Sequence, residues 1–199
     1  MLAKKVSNLW KRLMLRGADF GGAYARIRMI YAIPDPWEMS SDREQYRFAQ
    51  TVCHLQALAP SYNSVLEFGC GEGHQSTHLE TICKTLYGVD ISSTAVARAK
   101  DRCPQGNFQV AGLEDAATVF ERRKMDLITA CEVLYYAADI KQIIPAMQAR
   151  AERLYVSNYK PRSDRMRQHF QGDGWERLDD IQFEDTVWEC FFWQGPGVS

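Results

Sequence analysis

One seven-residue stretch, Glu67-Phe68-Gly69-Cys70-Gly71-Glu72-Gly73, constrains this chain more than any other feature. It ends an apolar run, Ser64-Val65-Leu66-Glu67-Phe68, that reads as a strand, and it opens onto a helical pattern at about 75–84. Glycines at alternate positions permit a tight turn and let the backbone approach a ligand closely. Asp90 closes a second strand, 86–89, and lies 21 residues after Gly69. An acid at that place and distance suits the two ribose hydroxyls of an adenosine.

The rest of the chain repeats the alternation. Helical patterns at about 94–102, 115–122, 139–150 and 162–170 separate strand-like runs at 108–110, 125–130 and 154–157. Two further strand runs, 175–183 and 186–194, flank a short turn near Glu184-Asp185, which predicts an antiparallel hairpin. The expected fold is α/β: a Rossmann-like, doubly wound, seven-stranded sheet of five parallel strands plus the C-terminal hairpin, with N-terminal helices. Residues 1–199 read as a single domain, with helices and a lid over 1–60 and the core over 61–199. Val6, Leu9, Trp10 and Leu13 mark an amphipathic helix at about 4–16. Residues 32–37 read as a stiff extended connection, because Pro34 and Pro36 restrict the residues before them. Ser40, Ser41 or Asp42 is expected to cap a helix at about 43–57.

Composition excludes several classes. Apolar residues make up 46% and charged residues 25%, which is a globular balance rather than a disordered, collagenous or coiled-coil one. A net charge of −1 argues against nucleic acid as a partner. No uncharged apolar run approaches the roughly 18–20 residues of a membrane span. Residues 1–30 carry seven basic side chains against Asp19, and Lys11, Arg12 and Arg16 interrupt any secretory signal core. The basic helix is expected to pack on the domain or a sister chain; docking on an anionic membrane surface is the alternative. Six cysteines without a Cys-x-x-Cys pair suit free thiols in a reducing cytosol, so a cytoplasmic protein is expected. His74 and His78 stand at i, i+4, but no third ligand is visible in the sequence, and no metal is expected. Cys70 has no evident activating base and is not read as a nucleophile.

The charge pattern selects among adenosine cofactors. The sixth position of a dinucleotide fingerprint is His74 rather than glycine, and Glu67 and Glu72 would repel a diphosphate. No lysine follows the glycines, which excludes a Walker loop. S-adenosylmethionine (SAM) has no phosphate. Its sulfonium and ammonium groups suit neighbouring carboxylates, and its own carboxylate suits a helix N-terminus.

With these pieces in order, the sequence resembles class I SAM-dependent methyltransferases. The matching segments are residues 65–73, Gly88-Val89-Asp90-Ile91-Ser92, Gly112-Leu113-Glu114-Asp115, and Asp126-Leu127-Ile128 running into Glu132-Val133-Leu134-Tyr135-Tyr136. The resemblance covers about 35–194. The last segment, with Asp35-Pro36-Trp37 and the Glu44 to Arg47 stretch, is similar to the nodulation-type (nodulation protein S) N-methyltransferases. Those methylate the amine of a de-N-acetylated chitooligosaccharide.

The resemblance implies roles position by position. Glu67, Gly69, Gly71 and Gly73 would surround the methionine part of SAM, and Asp90 would hold the ribose. Ile91 would wall the adenine, with Leu113 and Glu114 at its edge; many relatives have an aspartate where this chain has Gly112. Trp37 and Arg47 would supply a lid and a contact to the cofactor carboxylate. Glu132 would stand beside the methyl-transfer site, with Tyr135 and Tyr136 as further catalytic or substrate-contacting residues. The expected function is methyl transfer from SAM to a small molecule, an amine on a sugar or similar polar compound. An amine needs only to arrive neutral, whereas a hydroxyl needs a stronger base. A small-molecule O-methyltransferase and a SAM-binding protein without catalysis stay open, and the oligomeric state is not set by the sequence.

Overall fold

The computed structural model describes residues 24–198. The expected amphipathic helix at 4–16 lies outside them. Two helices come first, α1 (Tyr24–Ile30) and α2 (Asp42–Leu58). The core then runs β1 (Tyr62–Phe68), α3 (Ser76–Leu79), β2 (Cys83–Asp90), α4 (Ser93–Arg102), β3 (Asn107–Val110), β4 (Met125–Cys131), α5 (Ile140–Gln148) and β5 (Ala151–Tyr159). It ends with α6 (Lys160–Ser163), β6 (Trp175–Arg177), β7 (Ile181–Phe183) and β8 (Thr186–Gln194).

One sheet carries all the strands, in the order β3-β2-β1-β4-β5-β8-β6, with β7 also pairing β8. The first five are parallel, and β8 runs antiparallel to β5. Alternation along each strand sends neighbours to opposite faces. Leu66, Ile128 and Leu154 pack with α5 and Ile27 on one face; Val65, Leu127 and Tyr155 join Leu55 of α2 and the α3–α4 side on the other. Helices cover both faces, so the expected doubly wound sheet is what forms. Strand order reverses at β1 and β4, and ligands of such sheets bind in the crevice beyond the strand ends at that point.

Local departures from the expected elements have physical causes. The run 175–183 divides into β6 and β7, so the sheet has eight strands. Arg177 and Arg167 turn onto the buried carboxylate of Glu189, at 3.2 and 2.6 Å, and Asp180 binds Arg177 at 2.8 Å. The pattern at 115–122 becomes two 3-10 turns, interrupted by Phe120 and Glu121 at φ +50° and +57°. The helix expected at 75–84 stops at Leu79, runs through a 3-10 turn at Glu80–Ile82, and gives way to β2. The 162–170 pattern yields only α6 and a 3-10 turn at Arg167–His169. Ser41 occupies the N-cap of α2, but its hydroxyl makes no cap bond; Asp42 and Glu44 in the first turn complement the helix dipole instead.

Candidate functional site

The crevice at the strand-order reversal is a cavity of about 430 Å³. Its floor is the turn after β1. Gly69, Gly71 and Gly73 all have positive φ, at +73°, +53° and +79°, which only glycine adopts cheaply. The three then differ. A Cβ on Gly69 would meet Val133 Cγ2 at 2.6 Å, and one on Gly73 would meet Ala99 Cα of α4 at 3.0 Å. Gly69 and Gly71 both line the cavity, but only at Gly71 is there space for a Cβ to project, with Tyr31 Oη as its one neighbour, at 3.2 Å. Gly73 seats the turn against α4 and is not among the residues that line the cavity.

Asp90 sits at one end of this floor. Its Oδ2 accepts the Gly71 N–H at 3.1 Å, and its Oδ1 accepts the Ser92 N–H at 2.9 Å. Burial pushes its pKa up to about 6, against the pull of those two donors and the Tyr31 hydroxyl. Ile91 and Leu113 stand beside it in the cavity wall. Glu114 does not: it is exposed and accepts the Tyr24 hydroxyl at 2.6 Å, tying α1 across the cavity edge.

Toward the other end the wall becomes acidic around the buried guanidinium of Arg47, with Arg43 and Arg162 also lining the cavity. Glu67 is buried and accepts the Ser76 hydroxyl at 2.5 Å; burial raises its pKa to about 7, opposed by Ser76 and Arg47. Arg47 is 2% exposed and donates to Glu44 at 2.8 Å and to Gln75 at 3.2 Å. Burial disfavours its charge, but Glu44 and Glu132 outweigh that and raise its pKa. Arg47 thus lines the cavity, held by protein partners of its own.

Glu132 follows β4 with φ +58°, a conformation that strains a non-glycine residue. Its carboxylate accepts the Tyr159 N–H and, at 3.3 Å, the Tyr135 hydroxyl. Burial raises its pKa, with Arg47 opposing. Tyr135 and Tyr136 stack edge to face at 4.5 Å, and Trp37 lies 6.2 Å from Tyr136. Both tyrosines are mostly buried, and Arg162 covers the ring of Tyr135 at 4.4 Å. Trp37 and the tyrosines therefore form a packed aromatic section of the cavity wall, with the ring of Tyr135 already covered by Arg162.

The segment before α2 covers the cavity. Residues 32–37 are not extended throughout; Asp35 has φ +44°, and a turn closes from the Glu38 N–H to the Asp35 carbonyl. The Asp35 carboxylate fixes it by accepting from Met39 N, Ser40 N and Ser40 Oγ. Arg98 of α4 donates to the carbonyls of Tyr31 and Ile33 and pairs with Glu72 at 2.5 Å. Glu72, expected to repel phosphate, is neutralised here and helps hold the lid. Tyr24 and Tyr31 belong to no motif. Their signal is helical spacing, with Tyr24, Ile27 and Tyr31 at i, i+3 and i+7 lining the same cavity. The cavity offers a glycine-floored end beside Asp90 and an acidic end at Glu132, a donor set suited to a cationic adenosine compound and its reaction partner.

Comparisons with known proteins agree. The profile of one family, described as Nodulation protein S (NodS), matches residues 24–158. Nodulation protein S of Sinorhizobium fredii (strain NBRC 101917 / NGR234) is 31% identical over 140 residues, 68% of this chain and 63% of that protein. Nodulation protein S of Bradyrhizobium diazoefficiens is 29% identical over 118 residues, 59% of this chain and 56% of that protein. The chain thus spans less than two thirds of the length of these curated relatives. Among solved structures, the N-methyltransferase NodS from Bradyrhizobium japonicum WM9 in complex with S-adenosyl-L-homocysteine (SAH) superposes with a TM-score of 0.72. It is 20% identical, over 87% of this chain and 98% of that one, and it supports the fold. No helix among the described residues is long and apolar enough to cross a membrane.

Proposed function

Because the chain belongs to the nodulation protein S family, we propose that it is a SAM-dependent methyltransferase whose acceptor is an amine on a sugar or similarly polar small molecule. The observation that carries this reading is one continuous cavity with Asp90 at one end and Glu132 at the other. The cofactor supplies a methyl group already activated by its positive sulfur, so the protein mainly positions and desolvates the partners.

The residues present fit that cofactor. Gly71 leaves room where any side chain would intrude, and Asp90 keeps a lone pair on each oxygen for ribose hydroxyls. Glu67 and Glu132 place negative charge along the path of a cation. At the acceptor end Glu132 accepts an amine N–H and orients the nitrogen lone pair. Trp37 and Tyr136 supply aromatic surface in the cavity wall for an apolar sugar face. His74, the histidine that lines the cavity, faces Asp35 and Glu72 rather than Glu132, which favours an amine that arrives neutral over a hydroxyl that must be deprotonated.

SAM affinity is expected to rise with pH. In the ligand-free cavity the carboxyls of Asp90 and Glu67 hold their protons up to about 6 and about 7. A cationic ligand favours their ionised forms, so binding releases protons and strengthens as pH rises through those values. Calorimetry in two buffers of different ionisation enthalpy checks this; pH-independent affinity without proton release contradicts it.

Glu132→Gln is expected to lower kcat by about tenfold, less than the hundredfold or more of full general-base catalysis, because a neutral amine needs orientation more than deprotonation. SAH affinity should hardly change. Tyr136→Ala should raise the acceptor KM more than it alters SAH binding. The decisive experiment incubates the protein with labelled SAM and a panel of amino sugars, chitosan oligomers, phenols and carboxylic acids. Methylated amine product supports the reading. Product on a phenol or carboxylate alone overturns the amine, and absence of SAM and SAH binding overturns the whole.

A further inference from the structure

The lid and the glycine turn meet in the wall of the same cavity, at three side chains to which the proposed methyl transfer gives no chemical role. His74, 9% exposed, directs Nε2 toward Asp35 Oδ1 at 3.9 Å and Glu72 Oε2 at 3.8 Å. That nitrogen is buried and has no hydrogen-bond partner. Ligand atoms of the three residues all lie within 4.8 Å of one another. An orphaned buried imidazole nitrogen is costly, which makes a missing partner the physical question at this point.

The two carboxylates are preset. Asp35 Oδ1 accepts the Met39 N–H at 2.6 Å, and Oδ2 is taken by Ser40. Glu72 Oε1 is held by Arg98, and Oε2 accepts the Asp35 N–H at 2.9 Å. Each oxygen that faces His74 keeps one further lone pair, and the hydrogen bonds behind it fix its orientation, as partners of metal ligands do. His78, the i+4 neighbour, takes no part; its Nε2 meets Gln45 at 3.2 Å and its ring packs on Phe48.

We infer that Asp35, Glu72 and His74 form a divalent-metal site that takes Zn²⁺, joining the lid to the glycine turn. One imidazole and two carboxylates are ligands that zinc accepts, with water completing the shell. Tetrahedral bonds of about 2.0–2.1 Å place ligand atoms about 3.3 Å apart. The ligand atoms, now within 4.8 Å of one another, must draw together, and rotation of the His74 ring, whose Nε2 is unbonded, supplies most of that contraction while the carboxylates keep their hydrogen bonds. Arg98 on the Glu72 carboxylate and Arg102 on its carbonyl, at 2.9 Å, offset part of the negative charge. Affinity is therefore set in the micromolar range, below that of a cysteine-rich site. A single water bridging the three groups is the competing occupant.

The test is a Zn²⁺ titration of the chelator-stripped full chain by calorimetry, repeated with Co²⁺ and read by visible absorption. One Zn²⁺ per chain is expected, weakened by more than about tenfold in His74→Phe and Asp35→Asn, together with Co²⁺ ligand-field bands that His74→Phe abolishes. Cys53→Ser serves as a control for the exposed thiol. Substoichiometric binding, binding unchanged in His74→Phe, or binding lost in Cys53→Ser overturns the site and leaves the bridging water. If His74→Phe does not fold, histidine ring resonances of the unaltered protein decide: a Zn²⁺-dependent shift of His74 supports the site, and its absence overturns it. SAH affinity, measured without metal on the same samples, reports separately on the methyltransferase reading.

Discussion

Gly71→Val is expected to abolish SAH binding while the protein stays folded. Gly71 holds φ +53°, and a Cβ there would have only the Tyr31 hydroxyl within 4 Å, at 3.2 Å, before projecting into the cavity. A β-branched residue in the left-handed region costs roughly 1–2 kcal/mol. Its two methyl groups would occupy the space beside Asp90 that the ligand needs, adding an overpacking cost of about 1–3 kcal/mol. The backbone strain is present with and without ligand and so lowers Tm, whereas the overpacking acts on binding and predicts a loss of up to about 3 kcal/mol, about a hundredfold in Kd. The neighbouring glycines give a contrast that isolates the cause. Gly69→Ala drives a methyl group into Val133 at 2.6 Å, and Gly73→Ala drives one into the α4 backbone at 3.0 Å, so both should lower Tm first. Asp90→Ala should weaken binding by ~1.5–3 kcal/mol, the worth of hydrogen bonds to a charged group. Calorimetry beside thermal melts separates binding from folding; SAH binding to Gly71→Val at the original affinity would mean the cavity has been assigned wrongly.

The contrast between the three glycines also marks where sequence pattern stops being informative. Strands β1 to β5 and the turn after β1 follow from local alternation and from glycines placed for positive φ, so the amino-acid order alone makes them legible. Asp90 is legible because its distance from Gly69 is set by one helix and one strand. Which glycine faces the ligand depends on contacts with Val133 and Ala99, residues far along the chain, and Gly73 looks the same as Gly71 in sequence. Glu114 is a similar case: its place in the motif suggests the adenine edge, but the Tyr24 hydroxyl draws it outward. The lid is only half visible. Two prolines suggest extension, whereas the Asp35 side chain bends the segment by bonding Met39 and Ser40. The hairpin splits for a comparable reason, since Glu189 gathers Arg167 and Arg177 from elements that no local window contains together.

Arg47→Met should have the largest effect on stability. Arg47 is the guanidinium on which the buried acidic wall depends: it bonds Glu44 at 2.8 Å, and its charge lowers the pKa values of Glu67 and Glu132 against the effect of burial. Methionine fills much of the same volume but leaves Glu44, 5% exposed, without that bond. Arg43 still pairs with Glu44 at 3.0 Å, so the loss should fall below the roughly 3–5 kcal/mol of a buried pair broken to leave an uncompensated charge. Chemical denaturation should show that loss, and Glu44→Gln on the same background should recover part of it by removing a buried charge that Arg43 alone then offsets. The second readout is chemical. With Arg47 gone, Glu67 and Glu132 hold their protons to higher pH, so the acidic limb of SAM binding and of kcat should move upward. A merely structural arginine would lower stability and leave those pH profiles in place. Arg47→Met profiles that overlay the original ones would show that Arg47 packs the wall without tuning its carboxylates.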